Sequence, residues 1–320
     1  MAVSWLIPTL IAKRLAIALL TLAFVSVAVF LATEILPGDV AEIVLGQSAT
    51  PEAVAGLRAA LHLEQPAYLR YFTWLYGLLT GDPGRSLVND VPVAVLIGSR
   101  LSNSLLLAAV TAAFCVPIAL SLGISAAIWR GTAYDRLTSL LTLSAVSVPE
   151  FFIATLAVIA FAVHLHWLPA LSTSPSIGSV SQFSRSFTLP VLSLSCVVIA
   201  QMVRMSRAAV LDALRSSYVE MAMLKGARPA RIVLCHALPN AIGPIANAAA
   251  LSLSHLLGGV VIVETIFNYP GLAHLLVDGV ATRDMPLVQA CAMMFCAGYL
   301  ILVTIADIAG IVSNPKLRFR

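Results

Sequence analysis

LAIALLTLAFVSVAVFLAT, residues 15 to 33, runs for nineteen residues without a charge. About 20 apolar residues cross the hydrocarbon core of a bilayer as a helix, so this run is predicted to be a membrane span. Lys13-Arg14 before it resembles the flank of a signal peptide, but the apolar run is longer than such a core and five more follow. It is read as a retained helix. Val3 to Ala12 is apolar but too short to cross, and is expected to be an interfacial segment anchored by Trp5.

Leu101 to Trp129, Ser186 to Val203 and Met285 to Ala306 are also charge-free. Leu137 to Val163 is interrupted only by Glu150, and Ile232 to Val263 carries only histidines. The reading is therefore an all-α integral membrane protein of six transmembrane helices. Residues 1–320 are taken as one membrane domain, with an insertion at 34–100 after the first span and a loop at 211–239 between the fourth and fifth. Soluble packing is excluded by composition. Sixty per cent of residues are hydrophobic and 11% charged, against roughly a quarter charged in soluble domains.

Lys and Arg set the orientation, because cytoplasmic loops are enriched in them. With the amino terminus inside, thirteen basic residues fall on that side and six on the other, which takes most of the carboxylates. Both termini are expected in the cytoplasm, and 34–100 outside. The net charge of +4 reflects this topology. The basic residues are scattered at helix ends without an aromatic stacking surface, so nucleic acid is not a partner.

The chemistry-bearing motifs are sparse. The three lysines, Lys13, Lys225 and Lys316, lie outside any phosphate-cradling Gly-rich loop. No nucleophile, base and oxyanion-stabilising set is assembled, and the five cysteines show neither CxxC nor Cys/His zinc spacing. His164-x-His166 beside Trp167 is read as an interfacial feature rather than a metal site. The chain is expected to be no enzyme, with no cofactor or metal of its own.

The insertion has its own helix signals. Thr50-Pro51-Glu52 supplies an N-cap, a first-turn Pro and an acid, and Val54, Leu57 and Leu61 continue an apolar stripe. Pro66 to Leu79, rich in Tyr and Trp, predicts a helix at the membrane interface, closed by the turn Gly81-Asp82-Pro83-Gly84.

The loop between the fourth and fifth spans holds the segment Tyr218-Val-Glu-Met-Ala-Met-Leu-Lys-Gly226, followed by Leu238-Pro239. A short helix docking into a cleft needs a small-residue face, and a Gly able to take positive φ ends it sharply. Glu220, Ala222, Gly226, Leu238 and Pro239 match the EAA loop of ABC-transporter importer permeases. Met221 and His236 depart from it, where Ala and Ile are usual. Ile35-Leu-Pro-Gly-Asp39, Leu61-His-Leu-Glu-Gln-Pro66, Glu264-Thr-Ile-Phe267, Tyr269-Pro-Gly271, Arg283-Asp-Met-Pro-Leu287 and Asn314-Pro-Lys-Leu-Arg318 follow in order. Nearly the whole chain resembles the dipeptide/oligopeptide/nickel permeases, as the first of the two permease subunits.

That resemblance implies half of a translocation channel in the bacterial inner membrane. Its implied partners are a second, homologous permease, two cytoplasmic ATP-binding subunits that hold ATP and Mg, an extracytoplasmic solute-binding protein, the transported solute and the lipid bilayer. Di- or oligopeptides are the leading cargo, with nickel chelates, glutathione or another small solute as the alternative. Tyr218, Glu220, Ala222, Lys225, Gly226, Leu238 and Pro239 are expected to couple the chain to the ATPase, Ala222 against the cleft wall. Pro229 and Pro239 are expected to break the chain on either side of a second short helix. An ion-driven secondary transporter or a membrane-embedded enzyme would leave this loop without a use.

Three carboxylates lie in or beside the spans. Glu150, near the middle of the third run, either lines the pathway or is buried and hydrogen-bonded. Glu264, at the outer end of the fifth, either supports an outer gate or packs structurally. Asp307 is expected to pair with a basic residue or helix end.

Overall fold

The computed structural model describes residues 6–35, 45, 50–60, 65–172, 180–228 and 231–312. The expectations for Trp5, Pro229, the motifs in residues 36–44, 46–49 and 61–64, and the segment from 313 onward lie outside these residues. The described chain is helical: α1 (Leu6–Ile35), α2 (Pro51–Ala60), α3 (Ala67–Thr80), α4 (Val93–Ile128), α5 (Ala133–Ser147), α6 (Glu150–His164), α7 (Val180–Leu214), α8 (Ser217–Leu224), α9 (Ile232–Ile266), α10 (Leu272–Thr282) and α11 (Met285–Val312). Five of them, α1, α4, α7, α9 and α11, are long and apolar enough to cross a membrane, and α5 with α6 makes a bent sixth candidate.

The third span is thus not one rod with Glu150 at its middle. The chain turns by 98° between α5 and α6, because the residue before a proline is pushed out of the helical region. Val148 is extended at φ −97° and ψ 128°, and Pro149 then serves as the N-cap of α6, leaving Glu150 in its first turn. Two further differences have local causes. Leu6 to Ala12 is the first part of α1; Pro8 sits where its missing N–H costs nothing, and neither Gly nor Pro interrupts the chain from Thr9 to Ile35. Likewise Pro239 breaks nothing. It stands in the first turns of the α-helical part of α9, whose preceding residues, Ile232–Ala237, wind as wider π turns in the same rod.

The chain forms two compact units. One comprises residues 1–17, 106–269 and 299–320, and the other residues 18–105 and 270–298. In the first, α7 and α9 run antiparallel, with Val210 clustered with Ala241 and Ile245, and Met202 and Val203 with Ala249. At Gly123, α4 comes close to α7: a Cβ there would lie 2.9 Å from both Ser206 Cβ and the Val203 carbonyl oxygen. Small residues permit such approaches between membrane helices. Asp307 does pair with a basic residue, Arg14, at 3.1 Å.

In the second unit, α3 sets Tyr71 and Trp74 on Phe30 of α1, with ring centroids 5.4 and 6.1 Å apart, and the Tyr71 hydroxyl meets Ser26 at 2.9 Å. Gly81 takes φ 83° to end α3, as the turn motif predicts. Arg70 pairs with Glu34, and Val93 and Ile97 of α4 pack with Leu272, Leu275, Leu287 and Ala290.

Candidate functional site

The helix α8 begins one residue after a sharp exit from α7. Ser216 is extended, its hydroxyl returns to the Ala213 carbonyl at 2.5 Å, and its own carbonyl accepts the Glu220 amide at 3.1 Å. The far end closes as a Schellman turn. The Gly226 amide donates to Met223 O at 2.9 Å, the Ala227 amide to Ala222 O at 3.2 Å, and Gly226 takes φ 74°. The left-handed glycine expected from the motif is present, and it satisfies two orphan carbonyls of the last turn.

The faces of α8 are divided differently from expectation. Val219 and Ala222, one turn apart, are buried with Ile232 and Ala237. The small side chain of Ala222 therefore faces this chain's own α9 and not an outside cleft. Smallness is needed there for internal close approach. Across the helix from them, at the spacing that puts i and i+4 on one face, lie Glu220 and Leu224 with Met221 beside them. Leu224 is 76% exposed and Met221 54%; Tyr218, Met223, Lys225 and Gly226 are exposed as well. Leu238 joins the Val210 and Ile245 cluster, while Pro239 is exposed in the first turn of its helix. Of the seven residues expected to couple, Tyr218, Glu220, Lys225 and Gly226 share the exposed turn, and Ala222 and Leu238 belong to the packing beneath it. The apolar pair Met221 and Leu224 was missed. Its signal was present, since the pair sits three residues apart and opposite Val219 and Ala222.

A second group lies elsewhere in the same unit. The Glu150 carboxylate rests on Gly259 of α9, where any added Cβ would fall within it. His255, one turn earlier on α9 than Gly259, is exposed, and its charge acts on the Glu150 carboxylate. His255 was not singled out in the sequence, because a single His in an apolar run has no motif around it. Glu264 is wholly buried, and its carbonyl accepts the Tyr269 amide at 2.9 Å. Burial, and then the charge of Glu264, push the Tyr269 phenol above its usual range. This surrounding fits the packing role for Glu264.

Two family models together cover nearly the whole chain. The model for "Binding-prot-dependent transport system membrane comp, N-term" matches residues 7–122, and that for "Binding-protein-dependent transport system inner membrane component" matches residues 119–319. The glutathione transport system permease protein GsiC of Escherichia coli strain K12 is 36% identical over 308 residues, which is 96% of this chain and 98% of the relative. The same protein of Salmonella paratyphi A is 35% identical over the same shares.

Proposed function

We propose a working arrangement for this chain, which belongs to the inner membrane components of binding-protein-dependent transport systems, the permease subunits of ABC importers. It is a multi-pass protein of the inner membrane. Both termini and the α7–α9 loop lie in the cytoplasm, and residues 34–100 lie outside. The chain supplies half of a translocation path, a second homologous permease supplies the other half, and an extracytoplasmic binding protein delivers the solute. Two ATPase subunits hold ATP and Mg and hydrolyse the nucleotide.

One observation carries the coupling role. The helix α8 is pinned by Val219 and Ala222 to its own chain and offers Glu220, Met221 and Leu224 on the opposite face. An exposed apolar patch flanked by charge is the ordinary mark of a docking surface. Because α8 is tied both to the end of α7 and to the start of α9, a movement imposed on it is passed to two spans. ATP-driven closure of the partner ATPases would thus reach the path through α8.

The cargo is a peptide-like solute, and the relatives named for glutathione make that tripeptide the first to try. The test is reconstitution of the chain with its second permease, ATPases and binding protein in proteoliposomes. ATP-dependent uptake of glutathione or a dipeptide is expected; uptake driven by an ion gradient without the ATPases would sink the reading.

A further inference from the structure

Glu150 stands at membrane depth by two independent counts. Asp135 and Arg207 mark one charged boundary of the unit, and Ser147 lies about 18 Å further along α5 at a helical rise of 1.5 Å per residue. From the other end, Gly259 lies about 10 Å before the end of α9 at Ile266. Both counts place the α5–α6 break well inside an apolar layer about 30 Å thick. Non-helical backbone at such depth is tolerated where protein buries it or where it lines a watered cavity.

The carboxylate at this break is half-buried, and no described residue donates a hydrogen bond to it. Position 259 has no side chain to fill the place the carboxylate occupies. The neighbouring Gly258 is exposed, as is His255 one turn away. A carboxylate with no donor among the described residues, beside a helix face cleared by glycine, is an acceptor for an incoming cation. A carboxylate partly withdrawn from water and left unpaired is disfavoured, so an ammonium group reaching it is held by a charge-assisted hydrogen bond.

We propose that Glu150, set on Gly259 and flanked by His255, is a subsite in the translocation path for the free ammonium group of a peptide-like solute. The proposal rests on the importer reading above and adds to it the group that is recognised. His255 borders the subsite one turn away on α9, and a fixed cation in its place would occupy the carboxylate.

The experiment uses the whole importer in proteoliposomes, with glutathione and N-acetylglutathione as probes and the binding protein saturated by each in turn. The wild type is expected to import the free amine at least about tenfold faster than the blocked one, the scale of a hydrogen bond to a charged group. Glu150→Gln and His255→Lys should each erase that preference, and Glu150→Asp should keep part of it. His255 is exposed, so its substitution tests the idea even where Glu150→Gln assembles poorly. If Glu150→Gln and His255→Lys keep the wild-type preference, the proposal is overturned. Loss of the partner permease from both variants would overturn it too, by assigning the carboxylate to a subunit contact. A wild type that imports both probes equally overturns only this proposal, whereas one that imports neither removes the peptide-cargo reading along with it.

Discussion

Arg207 of α7 grips Asp135 of α5 at two points, Nε donating to Oδ1 at 2.6 Å and Nη2 to Oδ2 at 2.9 Å. The Gly131 amide donates to Oδ2 as well, at 2.9 Å. The Asp135 side chain is 6% exposed and that of Arg207 28%. This fork ties α5 to α7 of the central α7–α9 pair. Removing one partner of a buried pair costs more than removing both, because the survivor stays charged and unpaired. Asp135→Ala is expected to lower stability by about 3 kcal/mol, and Asp135→Ala with Arg207→Met by less. Thermal unfolding of the detergent-solubilised importer checks this. An unchanged midpoint for the single variant would show that the fork contributes nothing to the fold.

Topology needs labelling positions chosen from the structure. Ser86 does not serve, because it is buried and hydrogen-bonded to Asp284. Ser216 turns its hydroxyl onto the Ala213 carbonyl. Asn89 and Ser217 are exposed close by. In a background carrying Cys235→Ser, which removes the exposed native thiol, a membrane-impermeant maleimide should label Asn89→Cys from outside intact spheroplasts. Ser217→Cys should react only after permeabilisation. Labelling of both from one side would refute the assignment of termini and loops.

The spans were legible because hydrophobic length is a property of composition, and runs such as Leu15 to Thr33 carry it without help from neighbours. The end of α8 was legible for a local reason: Gly226 follows Lys225 at the point where a helix must close, and its backbone takes the left-handed turn. What escaped depends on tertiary contact. Pro149 disfavours a helical Val148 locally, but the size of the turn, 98° between α5 and α6, is not written in the sequence. Ala222 reads equally well as facing a partner or its own chain, since smallness suits both. Ile232 and Ala237 settle the matter by sitting on it. His255 has no meaning until the fold brings Glu150 to the same face of α9.

The helix α8 gives the last prediction, and the structure separates substitutions that a sequence motif would treat alike. Gly226 has open space around the position of a Cβ, so its requirement is purely one of backbone. A β-branched residue is strongly disfavoured at φ 74°, whereas Asn tolerates that region. Gly226→Val should abolish ATPase co-purification and Gly226→Asn should largely keep it. Ala222→Trp acts elsewhere: it forces a large ring into the packing of Val219, Ile232 and Ala237, and should lower the yield of folded chain before any partner is added. Met221→Ser with Leu224→Ser removes the exposed apolar face and leaves that packing intact, so the chain should fold normally and lose the ATPase. Glu220→Ala should weaken assembly by about 2–5 kcal/mol where its carboxylate is paired across a dry interface. The measurements are yield, co-purification of the ATPase subunits, and ATP hydrolysis stimulated by the loaded binding protein. If Gly226→Val and the Met221/Leu224 double variant both assemble and hydrolyse ATP as the wild type does, α8 is not the element that meets the ATPase.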